Sequence, residues 1–187
     1  MPRSPRLDYP GAWHHVFNRG VDHGAIFRTD GDRAYFLRCL SEASEKHAVE
    51  VHAYCLMSNH CHLLLRSQTG QLSRAMQMLS SFYTQGANLH LGRDGPIFRG
   101  RYQAVLITTD AQFLTVSRYI HLNPVQAGLI DSAADWPWSS LAAYYGGRRP
   151  LWLNRAYTLA LFSGNGSEQS RYMEFIEDYE IGSDPIF

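Results

Sequence analysis

The sequence predicts an α+β fold with one main domain. Its 187 residues match the length of an ordinary domain, and 45% of them are hydrophobic, which is enough to bury a core. Short segments with alternating apolar side chains predict strands, and longer segments with apolar side chains every three or four residues predict helices between them. Single helices inserted between strands are typical of an antiparallel sheet with helices packed on it.

The first strand and the first helix are predicted near the amino terminus. Residues 12–19 are rich in aromatic and β-branched side chains, and Gly20 then marks a loop. Residues 29–47 predict a helix, because apolar side chains recur at helical spacing. Asp30 and Asp32 would lie in its first turn, where negative charge interacts favourably with the helix dipole.

A hairpin of two strands follows this helix. Residues 49–57 alternate, and Ser58-Asn59 provides a turn before an apolar run begins at His60. Strict alternation places four side chains of the first strand on one face: Val49, Val51, Ala53 and Cys55.

The remaining elements complete a ferredoxin-like pattern. Residues 71–91 predict a second long helix and residues 102–108 a further strand. Asp110 is a plausible cap for a third helix, which the sequence Asn123-Pro124 is expected to stop. The predicted order β-α-β-β-α-β-α favours a ferredoxin-like antiparallel sheet with its helices on one face.

The chain changes character after the third helix. Residues 135–140 predict a turn into a short helix that ends near Gly146. We therefore divide the chain into a main domain, 1–146, and a short acidic C-terminal extension, 147–187, with a further helix at 168–180.

Charge is unevenly distributed along a chain whose formal net charge is zero. Residues 1–130 carry thirteen basic and nine acidic side chains, whereas residues 131–187 carry four and eight. Sixteen of the seventeen basic residues are arginine, which suits bidentate contacts to phosphate and guanine, although codon bias in a GC-rich gene gives the same composition. A nucleic-acid partner thus remains open.

The cysteines and the hydropathy indicate a cytoplasmic protein. Cys39, Cys55 and Cys61 are an odd number without close pairing, which favours a reducing compartment over a disulfide framework. The sequence has no signal-peptide pattern and no apolar run long enough to span a membrane, so no membrane partner is expected.

Two histidines form a candidate metal site. His60 and His62 occupy alternate positions of a predicted strand, so both imidazoles point to one face and can approach one ion. Such a pair is also common as a hydrogen-bonded structural feature. Alternation turns Cys61 to the opposite face, which favours core packing over a zinc site that uses its sulfur.

Tyr119 and Asn123 form a second candidate pair. They lie four residues apart in a predicted helix, about 6 Å along its axis, and therefore share a face. The alternative is structural: Asn123 before Pro124 can be a simple helix stop, and Tyr119 one half-buried aromatic residue among eleven tyrosines.

Residues 66–118 predict a nucleic-acid path, because arginines outnumber acidic residues and aromatic residues lie between them. The alternative is a solvated face beside core aromatics. Arg99 and Arg101, on either side of Gly100, are the strongest candidates. The wider set comprises Arg66, Arg74, Arg93, Arg118, Tyr83, Phe98 and Tyr102.

Four segments in order resemble the single-tyrosine HUH transposases, over roughly residues 10–145, and in particular the REP-associated tyrosine transposases. Each segment alone is weakly specific, whereas four in the same order are highly specific. They are Met57-Ser58-Asn59-His60-Cys61-His62-Leu63-Leu64-Leu65, Phe98-Arg99-Gly100-Arg101-Tyr102, Tyr119-Ile120-His121-Leu122-Asn123-Pro124-Val125-Gln126-Ala127-Gly128 and Trp136-Pro137-Trp138-Ser139-Ser140.

This resemblance implies roles for the candidate residues. His60 and His62 would bind a divalent metal, Mg²⁺ or Mn²⁺, and Tyr119 would attack a single-stranded DNA phosphodiester, leaving a 5′-phosphotyrosine and a free 3′-OH. The family's third ligand, often Gln, lies one turn after the tyrosine, which assigns that role to Asn123 here. Asn is shorter than Gln, so the helix must lie closer to the sheet or a water must bridge.

The resemblance also implies a DNA hairpin as the partner, with cleavage at its foot. Basic residues near the amino terminus, among them Arg19, are candidates to hold the stem, together with Arg3, Arg6 and Arg28. Residues 1–146 would then be the catalytic domain.

The function implied is a metal-dependent single-stranded DNA endonuclease and strand transferase that acts on hairpin-forming, REP-like repeats. One alternative is a domesticated relative that binds hairpin DNA or RNA as a regulator without cutting it. A metallohydrolase for small substrates is a second alternative, but it would need a further His or carboxylate ligand with matching spacing. The sequence does not decide between a monomer and a homodimer.

Overall fold

The computed structural model describes residues 7–147 and 149–178. The order of the long elements is the predicted one. Along the chain they are β1 (Ala12–Arg19), α1 (Asp30–His47), β2 (Val49–Leu56), β3 (His60–Ser67), α2 (Leu72–Leu91), β4 (Gln103–Ile107) and α3 (Asp110–Gln126), followed by α4 (Leu141–Tyr144), α5 (Ala156–Ala160) and α6 (Glu168–Glu177). The last helix confirms most of the predicted 168–180 helix; residues 179–180 lie outside the described part of the chain.

The four strands form one antiparallel sheet in the order β2-β3-β1-β4. The long connection through α1 carries the chain from β1 past the position that β3 then fills, which is the ferredoxin-like arrangement predicted from the element order. The register of the sheet sets Arg19 opposite His60, and Phe17 opposite both His62 and Gln103. One end of β1, the beginning of β3 and the beginning of β4 therefore lie side by side.

The helices cover both faces of the sheet. Helices α1 and α2 pack together on one face, as expected, over an apolar layer that includes Phe36, Leu79 and Tyr83. Helix α3 packs on the opposite face against β2 and β3, so the expectation of one covered face is wrong for this helix. Every strand of this sheet presents apolar side chains to both sides, and both layers need a cover.

A β-bulge in β2 corrects the predicted alternation. Val51 pairs with Leu65 and Ala53 with Leu64, so the register shifts at His52. The extra residue reverses which side each following side chain faces. Val49 and Val51 consequently join the layer under α1 and α2, while the two later members of the predicted set, Ala53 and Cys55, join the layer under α3.

The ends of two helices also differ from the prediction. Thr109, rather than Asp110, caps α3, since its hydroxyl accepts a hydrogen bond from the Gln112 amide. The helix continues through Pro124 to Gln126 instead of stopping at Asn123-Pro124. Pro124 lies in the last turn, where the loss of one backbone donor is offset by the burial of Asn123 and Pro124 themselves.

Residues after α3 cover the free edge of β2. The Leu56 amide donates to the Trp138 carbonyl, and the Ser140 amide donates to the Tyr54 carbonyl. The Trp136 indole also donates to the Leu56 carbonyl. This segment satisfies backbone groups that an open edge strand would expose.

Helix α6 packs against α3 and α4. Apolar side chains from these elements form a separate cluster that comprises Leu122, Ala133, Leu141, Tyr144, Tyr172, Met173 and Ile176. The extension predicted from residue 147 onward therefore contacts the domain that precedes it. In the part of the chain that the structure describes, no helix has the length and apolar character needed to cross a bilayer.

Candidate functional site

The first residues of β3 carry two histidines to the α3 face of the sheet. His60 and His62 alternate with Cys61, whose side chain is buried in the layer under α1 and α2, as predicted. The ring centroids of His60 and His62 are 5.2 Å apart. The two imidazoles are thus neighbours on one surface.

Helix α3 brings Tyr119 and Asn123 to these histidines. The ring of Tyr119 stands edge-on to His62, with centroids 5.3 Å apart. Asn123 Oδ1 lies 2.9 Å from His60 Nε2. Since α3 lies directly on the sheet, the short side chain of asparagine reaches the histidine without a bridging water.

The contacts of His60 arrange its lone pair. Its Nδ1 lies 2.7 Å from Asn59 Oδ1 and its Nε2 lies 2.9 Å from Asn123 Oδ1, so either ring nitrogen has an acceptor beside it. When Nδ1 carries the proton and donates to Asn59, Nε2 keeps a lone pair beside Asn123 Oδ1. Two lone-pair-bearing atoms that converge in this way form a suitable pair of donors for a cation.

His62 has an equivalent arrangement with a different partner. Its Nδ1 lies 3.0 Å from Nε2 of His15, a buried residue of β1. Burial holds the pKa of His62 well below its ordinary value, with further contributions from His15 and His60, and burial lowers the pKa of His15 to about 4. Both rings are therefore neutral at physiological pH.

The environment of Tyr119 keeps its phenol protonated. Burial raises the pKa of Tyr119, and a side-chain hydrogen bond with Asn123 opposes this rise. A protonated phenol is a weak nucleophile, so attack by this oxygen needs a site that offsets developing negative charge.

The donor set fits a divalent metal. In the octahedral geometry of Mg²⁺, neighbouring ligand atoms about 2.1 Å from the ion lie about 3 Å apart, similar to the distance between His60 Nε2 and Asn123 Oδ1. Among the described residues, no group of three His, Cys, Asp or Glu side chains could hold a metal. The candidate set of His60, His62 and Asn123 therefore depends on an amide oxygen, a ligand that hard cations accept.

An open cleft of about 920 Å³ adjoins the histidines. His60 and His62 belong to its lining, and so do the exposed residues Arg19, Arg99 and Arg101. Of the described side chains that line it, none is acidic. The cleft is thus a positively charged surface beside the candidate metal ligands.

Backbone contacts fix the arginine-bearing segment. The Arg99 amide donates to the Arg19 carbonyl at 2.9 Å, and Asn18 Nδ2 donates to the Gly100 carbonyl at 3.3 Å. These bonds attach the loop before β4 to the end of β1. Arg19 therefore lies along one cleft with Arg99 and Arg101, from which it is distant in sequence.

Other predicted contact residues lie elsewhere or are buried. Tyr102 lines the cleft but is largely buried, with its hydroxyl 3.1 Å from Ser73 Oγ. The guanidinium of Arg66 lies over the ring of Trp13, and that of Arg118 lies 4.4 Å from the Phe175 ring centroid. The structure does not bring Arg66 or Arg118 into the lining of the cleft.

The other basic candidates near the amino terminus are Arg28, Arg3 and Arg6. Arg28 is exposed but does not line the cleft, and Arg3 and Arg6 lie outside the described residues.

A buried hydrogen-bond network links α3 to the segment at Ser140 and to α6. His121, two residues after Tyr119, has Nε2 2.7 Å from Ser140 Oγ and Nδ1 2.8 Å from the Tyr172 hydroxyl. The Tyr172 hydroxyl is also 2.7 Å from Ser117 Oγ. The covering segment of β2 and helix α6 are thus both attached to the helix that carries Tyr119 and Asn123.

Sequence reasoning missed several residues of this site. His15, Asn59 and Asn18 contact the candidate ligands or the arginine loop, yet no spacing pattern distinguishes them. The β1–β3 pairing would have indicated His15, because a residue on the adjacent strand two positions from the partner of His62 shares its face.

Comparisons with known proteins identify the family of the chain. A sequence profile described as transposase IS200-like matches residues 12–123. A protein from Haemophilus influenzae named as a REP-associated tyrosine transposase is 26% identical over 116 residues, 56% of this chain and 66% of that relative, so this chain spans slightly less than two thirds of its length.

A solved structure has the same fold. It is described as a REP-associated tyrosine transposase bound to a REP hairpin, with a TM-score of 0.67 at 17% identity over 82% of this chain and 92% of that chain. These matches confirm the predicted resemblance and the predicted fold class. Since the profile covers more than half of the sequence, the chain belongs to the IS200-like transposase family.

Proposed function

We propose that this transposase cleaves single-stranded DNA with Tyr119 as the nucleophile and transfers the resulting strand. The observation that carries the proposal is the contact of one α3 face with the β3 histidines: Tyr119 against His62, and Asn123 2.9 Å from His60. Strand β3 supplies two of these four side chains and helix α3 the other two.

The reaction conserves bonds and needs no nucleotide cofactor. The Tyr119 oxygen attacks the scissile phosphorus, a P–O bond to tyrosine forms, and the P–O3′ bond breaks. The leaving O3′ takes the electron pair and a proton, and the phenolic proton passes to solvent. The 5′-phosphotyrosine retains a phosphodiester, so attack by another 3′-OH restores DNA and frees the tyrosine.

The residues that would hold a divalent cation, Mg²⁺ or Mn²⁺, are His60, His62 and Asn123. Such an ion supplies Lewis-acid polarisation of the phosphate and offsets the charge that develops in an in-line displacement. Tyr119 would attack from α3, where its ring contacts His62. Asn59 and His15 lie beside the Nδ1 atoms of His60 and His62, which leaves the two Nε2 atoms as the proposed ligands.

We further propose that the substrate is a hairpin with a single-stranded flank, similar to a REP repeat. The related solved structure is described as bound to a REP hairpin. In this chain, the basic cleft lined by Arg19, Arg99 and Arg101 adjoins His60 and His62, and its positive charge suits a phosphate backbone. Contacts of Tyr102, Arg66 and Arg118 with DNA stay predictions.

The experiment uses hairpin oligonucleotides with single-stranded flanks, labelled at either end and incubated with Mn²⁺ or Mg²⁺. Because the tyrosine takes the 5′-phosphate, the 3′-labelled fragment should migrate as a protein adduct on a denaturing gel, whereas the 5′-labelled fragment should be released with a free 3′-OH. Tyr119→Phe should abolish the adduct, and Tyr145→Phe, at an exposed tyrosine outside the cleft, should retain it.

Two results would contradict the proposal. Cleavage by Tyr119→Phe that leaves a free 5′-phosphate would indicate hydrolysis and eliminate the tyrosine mechanism. Tight hairpin binding by the wild type with no adduct under any metal condition would instead favour the non-cleaving regulator.

A further inference from the structure

The buried imidazole of His15 contacts the candidate site from β1. It pairs opposite Leu64, one diagonal step from His62, and points to the α3 face. Its Nε2 lies 3.0 Å from His62 Nδ1, and its ring lies edge-on to Tyr119 with centroids 5.8 Å apart. A single side chain thus touches both a candidate metal ligand and the candidate nucleophile.

The contact between the two histidines fixes where a proton can be. Two neutral imidazoles joined through one nitrogen each share a single N–H, so one ring donates and the other accepts. If His15 donated, His62 would carry its own proton on Nε2 and could not bind a metal there. If His62 donates from Nδ1, its Nε2 keeps a lone pair and remains available as a ligand.

We propose that His15 is a positioning residue that holds His62 in the tautomer protonated on Nδ1, with Nε2 directed to the metal. The proposal rests on the proposed function. A free neutral histidine favours the proton on Nε2, so His62 needs a fixed acceptor beside Nδ1 to adopt the other tautomer. His15 Nε2 is that acceptor.

The other histidine ligand has the same arrangement with a different partner. Asn59 Oδ1 lies 2.7 Å from His60 Nδ1 and can accept its proton, which is the same tautomer in that ring. In both rings the protein bonds Nδ1 and leaves Nε2 for a ligand position. Partners that donate or accept at the second ring nitrogen are a general feature of metal-binding histidines.

A neighbouring histidine offers a matched control. His14 precedes His15 on β1 and is equally buried, each being 1% exposed. Its Nε2 lies 3.2 Å from Asp8 Oδ1, and alternation points its ring to the opposite face of the sheet. Replacing His14 removes a buried histidine hydrogen bond of the same strand without touching the candidate site.

The first test reads the tautomer directly. Nitrogen-15 NMR of the full-length, metal-free protein with labelled histidines distinguishes Nδ1–H from Nε2–H rings. We expect His62 to be protonated on Nδ1 in the wild type and in His14→Leu, and to shift to Nε2 in His15→Leu. Protonation of His62 on Nε2 in the wild type would overturn the proposal without any variant.

The second test measures Mn²⁺ affinity by the electron paramagnetic resonance signal of the free ion. His15→Leu should raise the dissociation constant about 10- to 100-fold, as for other partners of metal-bound histidines. His15→Gln, whose Oε1 can replace the Nε2 acceptor, should restore most of the affinity, and His14→Leu should keep it. Equal affinity in His15→Leu and the wild type would overturn the proposal.

The two tests separate failure of this inference from failure of the proposed function. Mn²⁺ binding that His62→Ala removes but His15→Leu leaves intact counts against His15 alone. Absence of any Mn²⁺ binding that depends on His62 counts against both the metal site and the role of His15.

Discussion

The two faces of the sheet differ in what they bury. On one face, α1 and α2 enclose an almost entirely apolar layer in which aromatic rings such as Phe27, Phe36 and Tyr83 pack edge to face. On the other, α3 encloses Leu64 and Phe113 toward one end of the strands, but histidines and an asparagine toward the other.

The difference separates stability from chemistry. Alternation along β3 assigns Cys61, Leu63 and Leu65 to the apolar face, and His60 and His62 to the other. Under the proposed function, Cys61 therefore contributes to the apolar core, while the adjacent His60 and His62 contribute to the chemistry. Substitutions on each face should change different properties, and the following experiments test that separation.

The largest expected effect is on cleavage and compares neighbours of β3. His62→Ala should lower the rate of adduct formation by at least ~100-fold, because loss of a metal ligand removes several kcal/mol of transition-state stabilisation. Cys61→Ala should keep the rate and lower the free energy of unfolding by about 1 kcal/mol. Gel assays and urea unfolding of both variants measure this; a comparable loss of cleavage in Cys61→Ala would refute the separation.

The next effect is on stability and concerns the apolar face. Leu79 of α2 is 0% exposed, so Leu79→Ala should reduce the free energy of unfolding by about 2–5 kcal/mol, through lost burial and a residual cavity. Leu89→Ala on the same helix, where the side chain is 86% exposed, should change it by less than about 0.5 kcal/mol. The folded Leu79→Ala protein should bind Mn²⁺ as the wild type does.

A pH dependence of the free energy of unfolding is expected from His121, a buried histidine of α3. Burial lowers the pKa of His121 to about 3, from an ordinary value of 6.5 in the unfolded chain. Between these values the unfolded state binds a proton that the folded state does not, so stability is full above pH 6.5 and falls by about 1.4 kcal/mol per unit as pH decreases toward 3.

Removing the titrating group tests this expectation. His121→Gln should make unfolding less acid-sensitive than in the wild type between pH 6 and pH 4 in urea titrations. Identical pH profiles in His121→Gln and the wild type would show that His121 is not the group responsible.

The smallest effect concerns DNA affinity at the cleft. Arg99→Ala and Arg101→Ala should each weaken hairpin binding and reduce the slope of log affinity against log salt by about one, as expected for one lost phosphate contact. Arg38→Ala, at an exposed position of α1 outside the cleft lining, should keep the slope. Fluorescence anisotropy at several salt concentrations measures all three, and equal slopes in every variant would remove Arg99 and Arg101 from the binding surface.

Local sequence patterns predicted the elements well, because each depends on nearby residues. Asp30 and Asp32 in the first turn of α1, the spacing of apolar residues in α1 and α2, and the turn at Ser58-Asn59 all act over a few positions. The bulge at His52 was not predictable, since one inserted residue changes the pairing without an obvious local signal. Nor was the path of α3 through Pro124, which depends on tertiary burial.

The candidate site was only partly visible in the sequence. His60 with His62 and Tyr119 with Asn123 each follow a short spacing, so the sequence indicated both pairs. Their meeting, and the presence of His15 between them, depends on strand register and helix packing across 47 or more positions. Arg66 belongs to the same predicted basic stretch, but the register of β3 places it beside Trp13 and outside the cleft lining.

The hydrogen bonds of His121 should constrain how the sequences of such genes evolve. Ser140, Tyr172 and Ser117 surround a ring that sits between the two functional positions of α3. A mutation that alters one partner leaves a buried polar group unmatched until another position also mutates. Substitutions at these positions should therefore occur together in related genes. A chimeric protein that joins the α3 of one gene to the carboxyl-terminal helix of a distant one should seldom fold.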